Sequence, residues 1–169
     1  IALRGLPEED RASRLRDLLE EAVAAEDDES ILAYANEVLA IAPRDPIALD
    51  VLVAKTRERG DEKSLLGLLV RVGHDDERSR EVRLSALHEA AHLAKRLGDE
   101  ATALDANAAI CRIDPVDPEA RAGVEAGLAA SGRFEELAQL LEWEASQLPA
   151  PADRRRAFFA LLELHRTHG

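Results

Sequence analysis

Apolar residues recur three or four positions apart along most of the chain, which is the spacing that places side chains on one face of an α-helix. In the first predicted helix, about residues 8 to 24, the apolar stripe consists of Leu15, Leu18, Leu19 and Ala22. In the fifth, about residues 79 to 97, it consists of Leu87, Ala91, Ala94 and Leu97. No segment alternates apolar and polar residues with the period of two that a strand requires. The pattern therefore predicts an all-α protein of about nine helices.

The turns between these helices repeat along the chain. A Pro-x-Asp-Pro motif at residues 43–46 returns at residues 115–118, displaced by 72 positions. A glycine follows each motif at the same distance, Gly60 and then Gly132, and Gly98 lies between them. Asp-Pro is a typical helix start, and a glycine after a helical stripe is a typical helix end. A period of this size indicates stacked helical hairpins, in which no single unit buries its apolar face alone.

We expect these hairpins to form one repeat domain over residues 1–169. The predicted units are approximately residues 7–45, 46–77, 78–116 and 117–151, followed by a partial unit at residues 152–169. This amounts to about 4.5 hairpins, because the ninth helix has no second helix. The chain begins with Ile1 and contains no methionine, so we expect it to be a fragment of a larger protein.

The segment from Gly132 to Leu137, Gly-Arg-Phe-Glu-Glu-Leu, together with the later Pro149, resembles the tetratricopeptide repeat (TPR). Gly98 with Ala103 and Pro115 is the next best match, and the resemblance covers about residues 7 to 169. It implies a right-handed α-α superhelix whose concave groove is lined by the first helix of each hairpin. The excess of arginine over lysine, 19 to 3, suggests a bacterial TPR-like protein.

The chain departs from the TPR pattern in its core. The family often has a large aromatic residue in the first helix of a hairpin, where this chain has Leu49 and Leu87. The first predicted hairpin also has acidic residues in place of the turn glycine. Another kind of α-helical hairpin solenoid therefore stays open as an alternative.

Composition and charge narrow the functions to be considered. The net charge of −12 argues against a nucleic-acid partner and against an anionic lipid surface. No apolar run approaches the roughly 20 residues that a membrane-spanning helix needs, so we expect no membrane insertion and a cytoplasmic location. The single cysteine, Cys111, excludes a disulfide within the chain.

The TPR resemblance implies a protein-interaction scaffold that binds a partner protein or peptide in its groove, with no catalysis and no cofactor. The side chains that face this groove are predicted to be Asp50, Arg57, Ser85, His88, Glu89, His92, Lys95, Arg96, Ala122 and Ala126. The groove is basic in its middle helix and lined by small residues in the next, which favours an acidic partner segment.

Two other functions stay open. Residues 88–92, His-Glu-Ala-Ala-His, match the H-E-x-x-H motif, in which two histidines on one helix face hold Zn²⁺ and the glutamate is the general base. A zinc-dependent hydrolase using His88, Glu89 and His92 is therefore one alternative. The other is self-assembly, because the ninth helix must cover its apolar face.

Overall fold

A computed structural model describes residues 7–168. Over this range the chain forms nine α-helices and no strand, which confirms the predicted all-helical fold. The helices are α1 Glu8–Ala24, α2 Asp28–Ile41, α3 Pro46–Glu58, α4 Glu62–His74, α5 Arg80–Leu97, α6 Glu100–Ile113, α7 Pro118–Ala130, α8 Phe134–Gln147 and α9 Pro151–His168. None of these nine helices is long and apolar enough to cross a membrane.

The helices form two compact units, one ending at Ser79 and the other beginning at Arg80. In the first unit α1 packs on α2, α2 on α3, and α3 on α4. In the second unit each helix from α5 to α9 packs on the next in the same way. Each unit is thus a TPR-like stack of antiparallel helical hairpins. The extent of a single repeat domain and its internal boundaries stay predictions.

The two units are built alike because equivalent positions, 72 residues apart, carry equivalent interactions. At the start of α3, Asp45 Oδ1 accepts a hydrogen bond from the Ala48 amide at 3.0 Å. At the start of α7, Asp117 Oδ1 accepts one from the Ala120 amide at 2.8 Å. A proline follows each aspartate at the first helical position, where its missing N–H costs nothing. The repeated Asp-Pro motif is therefore a repeated helix cap.

The helices α2 and α6 also start with equivalent caps. Asp27 accepts hydrogen bonds from the amide and hydroxyl of Ser30, and Asp99 accepts them from the amide and hydroxyl of Thr102. The hydroxyl donor is the main reason that the pKa of each aspartate is lowered, followed by the amide. Each carboxylate satisfies an N–H that the helix leaves without a partner.

The core of each unit lies between its helices and is made of matching apolar side chains. Buried pairs related by 72 positions are Leu15 and Leu87, Val38 and Ile110, Leu65 and Leu137, and Leu69 and Leu141.

The predicted stripe of α5 was partly wrong. Leu87 and Ala94 are buried as expected, whereas Leu97 is 42% exposed and Ala91 is only half-buried. The buried face of α5 instead includes Ala86, Ala90 and Leu93, because burial is set by the packing of α5 against α6 and not by apolar spacing alone.

The predicted turn glycines have the left-handed backbone conformation. Gly60, Gly98 and Gly132 have φ angles of 69°, 74° and 69°, which confirms their place at the hairpin turns. Glu26, the position 72 residues before Gly98, has a φ of 54°. A residue with a Cβ is strained in this conformation, so the first hairpin turn carries a cost that the others avoid.

The second unit buries an ion-pair network where the first unit is apolar. Glu144 on α8 is fully buried, and its Oε2 accepts a hydrogen bond from Arg156 Nη2 of α9 at 2.7 Å. Arg121 Nη1 of α7 lies 3.3 Å from Glu144 Oε1, without good hydrogen-bond geometry. Arg156 also binds Glu125, at 2.7 and 2.9 Å. The network joins α7, α8 and α9.

Burial, and then the charge of Glu125, raise the pKa of Glu144, while Arg121 and Arg156 lower it by less. A carboxyl whose pKa is raised by folding favours the protonated form, so its contribution to stability declines as pH rises through that pKa. The charged form of this buried carboxyl is therefore tolerated only because the two arginines lie beside it.

Replacement of Glu26 by glycine is expected to raise the free energy of unfolding by about 1 kcal/mol, because glycine adopts positive φ without strain. Replacement of Gly98 by alanine is expected to lower it by about the same amount, since no atom obstructs a Cβ there and only the backbone opposes it. Urea denaturation measures both changes. A Glu26→Ala variant as stable as Glu26→Gly would contradict this account.

The buried pair Arg121 and Glu144 corresponds, 72 positions earlier, to Leu49 and Val72, which are both buried. Glu144→Val alone should lower the free energy of unfolding by about 3 kcal/mol or more. The reason is that the Arg121 guanidinium then stays buried without a carboxylate from α8. Adding Arg121→Leu should recover most of that loss, because the pair then matches the first unit. Urea denaturation of the two single variants and the double variant tests this. Additive losses would contradict the expectation.

Candidate functional site

Five of the ten predicted groove residues line one open cleft of about 240 Å³ in the second unit. They are His88, His92 and Lys95 of α5 with Ala122 and Ala126 of α7. Four further residues complete the lining, namely Ala91, Asn107, Glu119 and Gly123. Polar side chains of α5 thus form one wall, small residues of α7 form the other, and Asn107 of α6 lies between them.

The other predicted groove residues lie outside this cleft. Ser85, Glu89 and Arg96 are on α5 but do not line it. Asp50 and Arg57 belong to α3 in the first unit. Asp50 accepts two hydrogen bonds from Arg78 Nη1, at 2.8 and 3.1 Å, and Arg78 Nη2 also binds the Pro46 carbonyl. Asp50 therefore helps to anchor the segment that follows α4.

His88 occupies a structural position of the repeat. Its Nε2 lies 3.2 Å from Asp117 Oδ2, while the other oxygen of Asp117 caps α7. The equivalent residue in the first unit is Arg16, whose Nε binds Asp45 Oδ2 while Asp45 Oδ1 caps α3. In both units, one aspartate caps a helix and also receives a donor from the preceding hairpin.

The two histidines of the H-E-x-x-H motif face different carboxylates. His92 Nε2 lies 3.2 Å from Glu119 Oε1, and both side chains are more than 60% exposed. A neutral or charged imidazole that donates from Nε2 cannot use the same nitrogen to bind a metal. Among residues 7–168, no group of three or more His, Cys, Asp or Glu side chains is placed to hold a metal ion.

Asn107 of α6 lies against Gly123 of α7 in the cleft. A Cβ added to Gly123 would lie 2.4 Å from Asn107 Nδ2 and 2.6 Å from its Cγ, so a larger residue at position 123 would require this amide to move. The equivalent residues of the first unit are Ala35 and Val51. Asn107, Gly123 and Glu119 are not among the groove residues predicted from the sequence. Comparison of the two units at an offset of 72 residues identifies Asn107 and Gly123, because the first unit has apolar residues at these two positions.

The charges at the cleft are mixed. Glu119 and His92 face each other, and within the described part of the chain Lys95 makes no ion pair. The thiol of Cys111, which lies on α6 outside this cleft, is not a nucleophile at neutral pH. Burial, and then the nearby Asp117 carboxylate, raise its pKa to about 11, so it stays protonated.

No family model matches the chain, and no curated protein matches it by sequence. Among solved structures, the chain is similar to a MamA protein (14% identity, 92% of each chain covered, TM-score 0.44). It is also similar to a kinesin light chain-type protein of nearly identical TPR-like repeats from Podosopora anserina (20% identity, 94% of this chain and 88% of that one, TM-score 0.45). A third is MamA, residue 41 to the end, from Desulfovibrio magneticus RS-1 (16% identity, 93% and 96% covered, TM-score 0.41). At these identities and TM-scores no function is transferred, and the TPR-like assignment rests on the hairpins, caps and turns described above.

His88→Arg is expected to leave the free energy of unfolding within about 0.5 kcal/mol of wild type, since arginine fills the equivalent position in the first unit. His88→Ala should lower it by about 1 kcal/mol, because Asp117 loses its donor. Thermal denaturation compares the two variants. Stoichiometric zinc in the wild type, lost in His88→Arg together with a chelator-sensitive hydrolase activity, would contradict the structural role and favour the metal site.

Proposed function

We propose that the chain is a non-enzymatic protein-interaction scaffold that binds an extended segment of a partner protein in the cleft between α5 and α7. The observation that carries this proposal is the convergence of polar groups from α5, α6 and α7 on one open cleft with a wall of small residues. A partly preformed concave site with a few placed polar groups is the usual form of a binding site.

The cleft suits a peptide better than a compact ligand. Ala122 and Ala126 have short side chains, which leave room for an extended chain beside α7. The opposite wall carries the longer polar side chains of His92 and Lys95. These side chains line the cleft and can contact a peptide bound in it. Space beside α7 on one side and polar side chains on the other provide both affinity and specificity for a peptide.

The charge of Lys95 favours an acidic residue in that peptide. Lys95 lines the cleft and makes no ion pair within the described residues, whereas His92 already faces Glu119. A carboxylate of the partner would form an ion pair with Lys95. Such charge complementarity mainly increases the specificity and the rate of association. The carboxylates of Asp117 and Glu119 make the cleft less basic than the α5 sequence alone indicates.

A second candidate function is self-association through α9. Ala157 of this helix is buried, and Leu161 and Leu164 also pack against α7 and α8. On its outer face Phe158, Phe159 and Leu162 are at least half exposed. Exposed large apolar side chains in a cluster favour an interface. Sedimentation velocity over a range of protein concentrations separates this candidate from binding in the cleft, because the cleft requires no second copy.

Panning of a phage-displayed random peptide library against the whole chain is expected to select peptides with an acidic residue. Lys95→Glu should weaken the selected peptide by about tenfold or more, equivalent to about 1.4 kcal/mol, because a repulsion replaces an attraction. Arg155→Glu, the same change of charge on α9 outside the cleft, is the matched control and should have little effect. Isothermal titration calorimetry measures both. Equal weakening by the two variants, or no selected peptide, would refute the proposal.

A further inference from the structure

A second pocket, of about 330 Å³, lies between α6 and α8 in the second unit and shares no residue with the cleft between α5 and α7. We call it the Trp143 pocket, and its lining consists of Cys111, Arg112, Pro115, Arg121, Leu140 and Trp143. The cysteine thiol is neutral and behaves as a small apolar group. The two guanidinium groups are therefore the only charged groups in an otherwise apolar lining.

The first unit has arginines where this surface carries large apolar side chains. Arg71 stands at the position of Trp143, and Arg44 stands at the position of Val116, the residue after Pro115. Arg71 binds a main-chain carbonyl and Arg44 binds a carboxylate. Trp143 is 38% exposed and Val116 is 49% exposed. Because the fold accepts arginine at both positions, packing within the unit does not require these exposed apolar side chains.

The floor of the pocket also differs from the first unit. Cys111 stands where the first unit has the buried Leu39, and its shorter side chain fills less of the space between α6 and α8. A smaller residue at such a position removes packing contacts and lowers stability unless a neighbour fills the space. Space that the fold alone would fill is therefore left open at this surface.

Arg121 brings unpaired hydrogen-bond donors to the pocket. The residue is 5% exposed, and its Nε and Nη1 have no hydrogen-bond partner among the described residues. Glu144 Oε1 lies 3.3 Å from Nη1 but without bonding geometry. A buried donor without an acceptor is rare, because it loses its hydration and gains nothing in return. An acceptor oxygen in a bound segment would supply the missing partner.

Arg112 brings an unpaired charge to the same pocket. It is exposed and makes no ion pair within the part of the chain that the structure describes. The acids nearby already face other cations, since Asp114 Oδ2 lies 3.1 Å from Arg80 Nη2 and Asp117 Oδ2 lies 3.2 Å from His88 Nε2. A carboxylate at the mouth of the pocket is thus the complement that Arg112 lacks.

We propose that the Trp143 pocket is a second interaction surface, which binds one large apolar side chain of a partner protein while an acidic residue next to that side chain pairs with Arg112. The volume is at the lower end of the range for small-molecule sites, whereas the exposed Trp143 and Val116 add contact area that a larger partner would cover. Tryptophan and arginine are also the residue types most enriched at the energetic centres of protein interfaces.

The test uses the fluorescence of Trp143, which is the only tryptophan of the chain. A phage-displayed peptide library without tryptophan is panned against the whole chain, and peptides that also bind the Trp143→Arg variant are removed. The remaining peptides are expected to carry a large apolar residue next to an acidic one and to change the emission of Trp143 when they bind. Arg112→Glu should weaken their binding by about tenfold or more, because a repulsion replaces an attraction.

Three control variants lie outside the pocket. Phe159→Arg changes another exposed aromatic residue, on α9, in the same way as Trp143→Arg. Arg155→Glu makes the same change of charge as Arg112→Glu, and Lys95→Glu makes a larger pocket, the cleft, unfavourable for acidic peptides. All three should leave the binding of these peptides unchanged. Circular dichroism melts establish that each variant is folded, and the exposed Arg112→Glu keeps the test decisive if Trp143→Arg is not.

Each outcome supports or refutes the proposal. If no peptide distinguishes the wild type from Trp143→Arg, or if binding leaves the emission of Trp143 unchanged, the proposal is refuted. Equal weakening by Phe159→Arg or Arg155→Glu refutes it as well. If Lys95→Glu weakens binding and Arg112→Glu does not, the peptides bind in the cleft, which supports the proposed function and refutes this second surface. If no peptide is selected but Trp143→Arg abolishes self-association in sedimentation velocity, the occupant is a second copy of the chain, and the partner assignment is refuted.

Discussion

Each unit depends on an aspartate that performs two tasks at the start of its second hairpin. One carboxylate oxygen caps the helix, and the other receives a donor from the first helix of the preceding hairpin: Arg16 for Asp45 and His88 for Asp117. The cap determines where α3 and α7 begin, and the second contact ties each of them to the preceding hairpin. Stacked hairpins require such links because each buries its apolar face only against its neighbours.

The repetition at 72 residues makes one unit a reference for the other. Where both units keep the same interaction, as in the caps and the matched leucines, the residue serves the fold. Where a residue of the second unit differs from its equivalent in the first unit, the difference needs a separate explanation. The buried Arg121 and Glu144 have such a reason in α9, because Arg156 of that helix binds the same carboxylate. Asn107 and Gly123 lie against each other where the first unit has Ala35 and Val51.

The same comparison changes the meaning of the H-E-x-x-H motif. Read locally, His88 and His92 share one helix face and suggest a metal site. In the first unit the position of His88 is held by Arg16. The Nε2 atom of His88 lies beside Asp117, which caps α7, just as Arg16 lies beside Asp45, which caps α3. The spacing of four between the histidines follows from the helix. Their partners, Asp117 and Glu119, lie about 30 residues further along the chain, so no local pattern reveals them.

The sequence by itself determined the helices and their ends, because these depend on interactions between residues a few positions apart. Apolar periodicity, Asp-Pro caps and turn glycines are such local signals, and they located all nine helices among the described residues. The tertiary structure alone decided which residues of α5 are buried, which carboxylate each histidine faces, and that Asn107 lies against Gly123. These contacts join residues of different helices, and periodicity states which face of a helix is apolar but not which side chain of a neighbouring helix lies opposite.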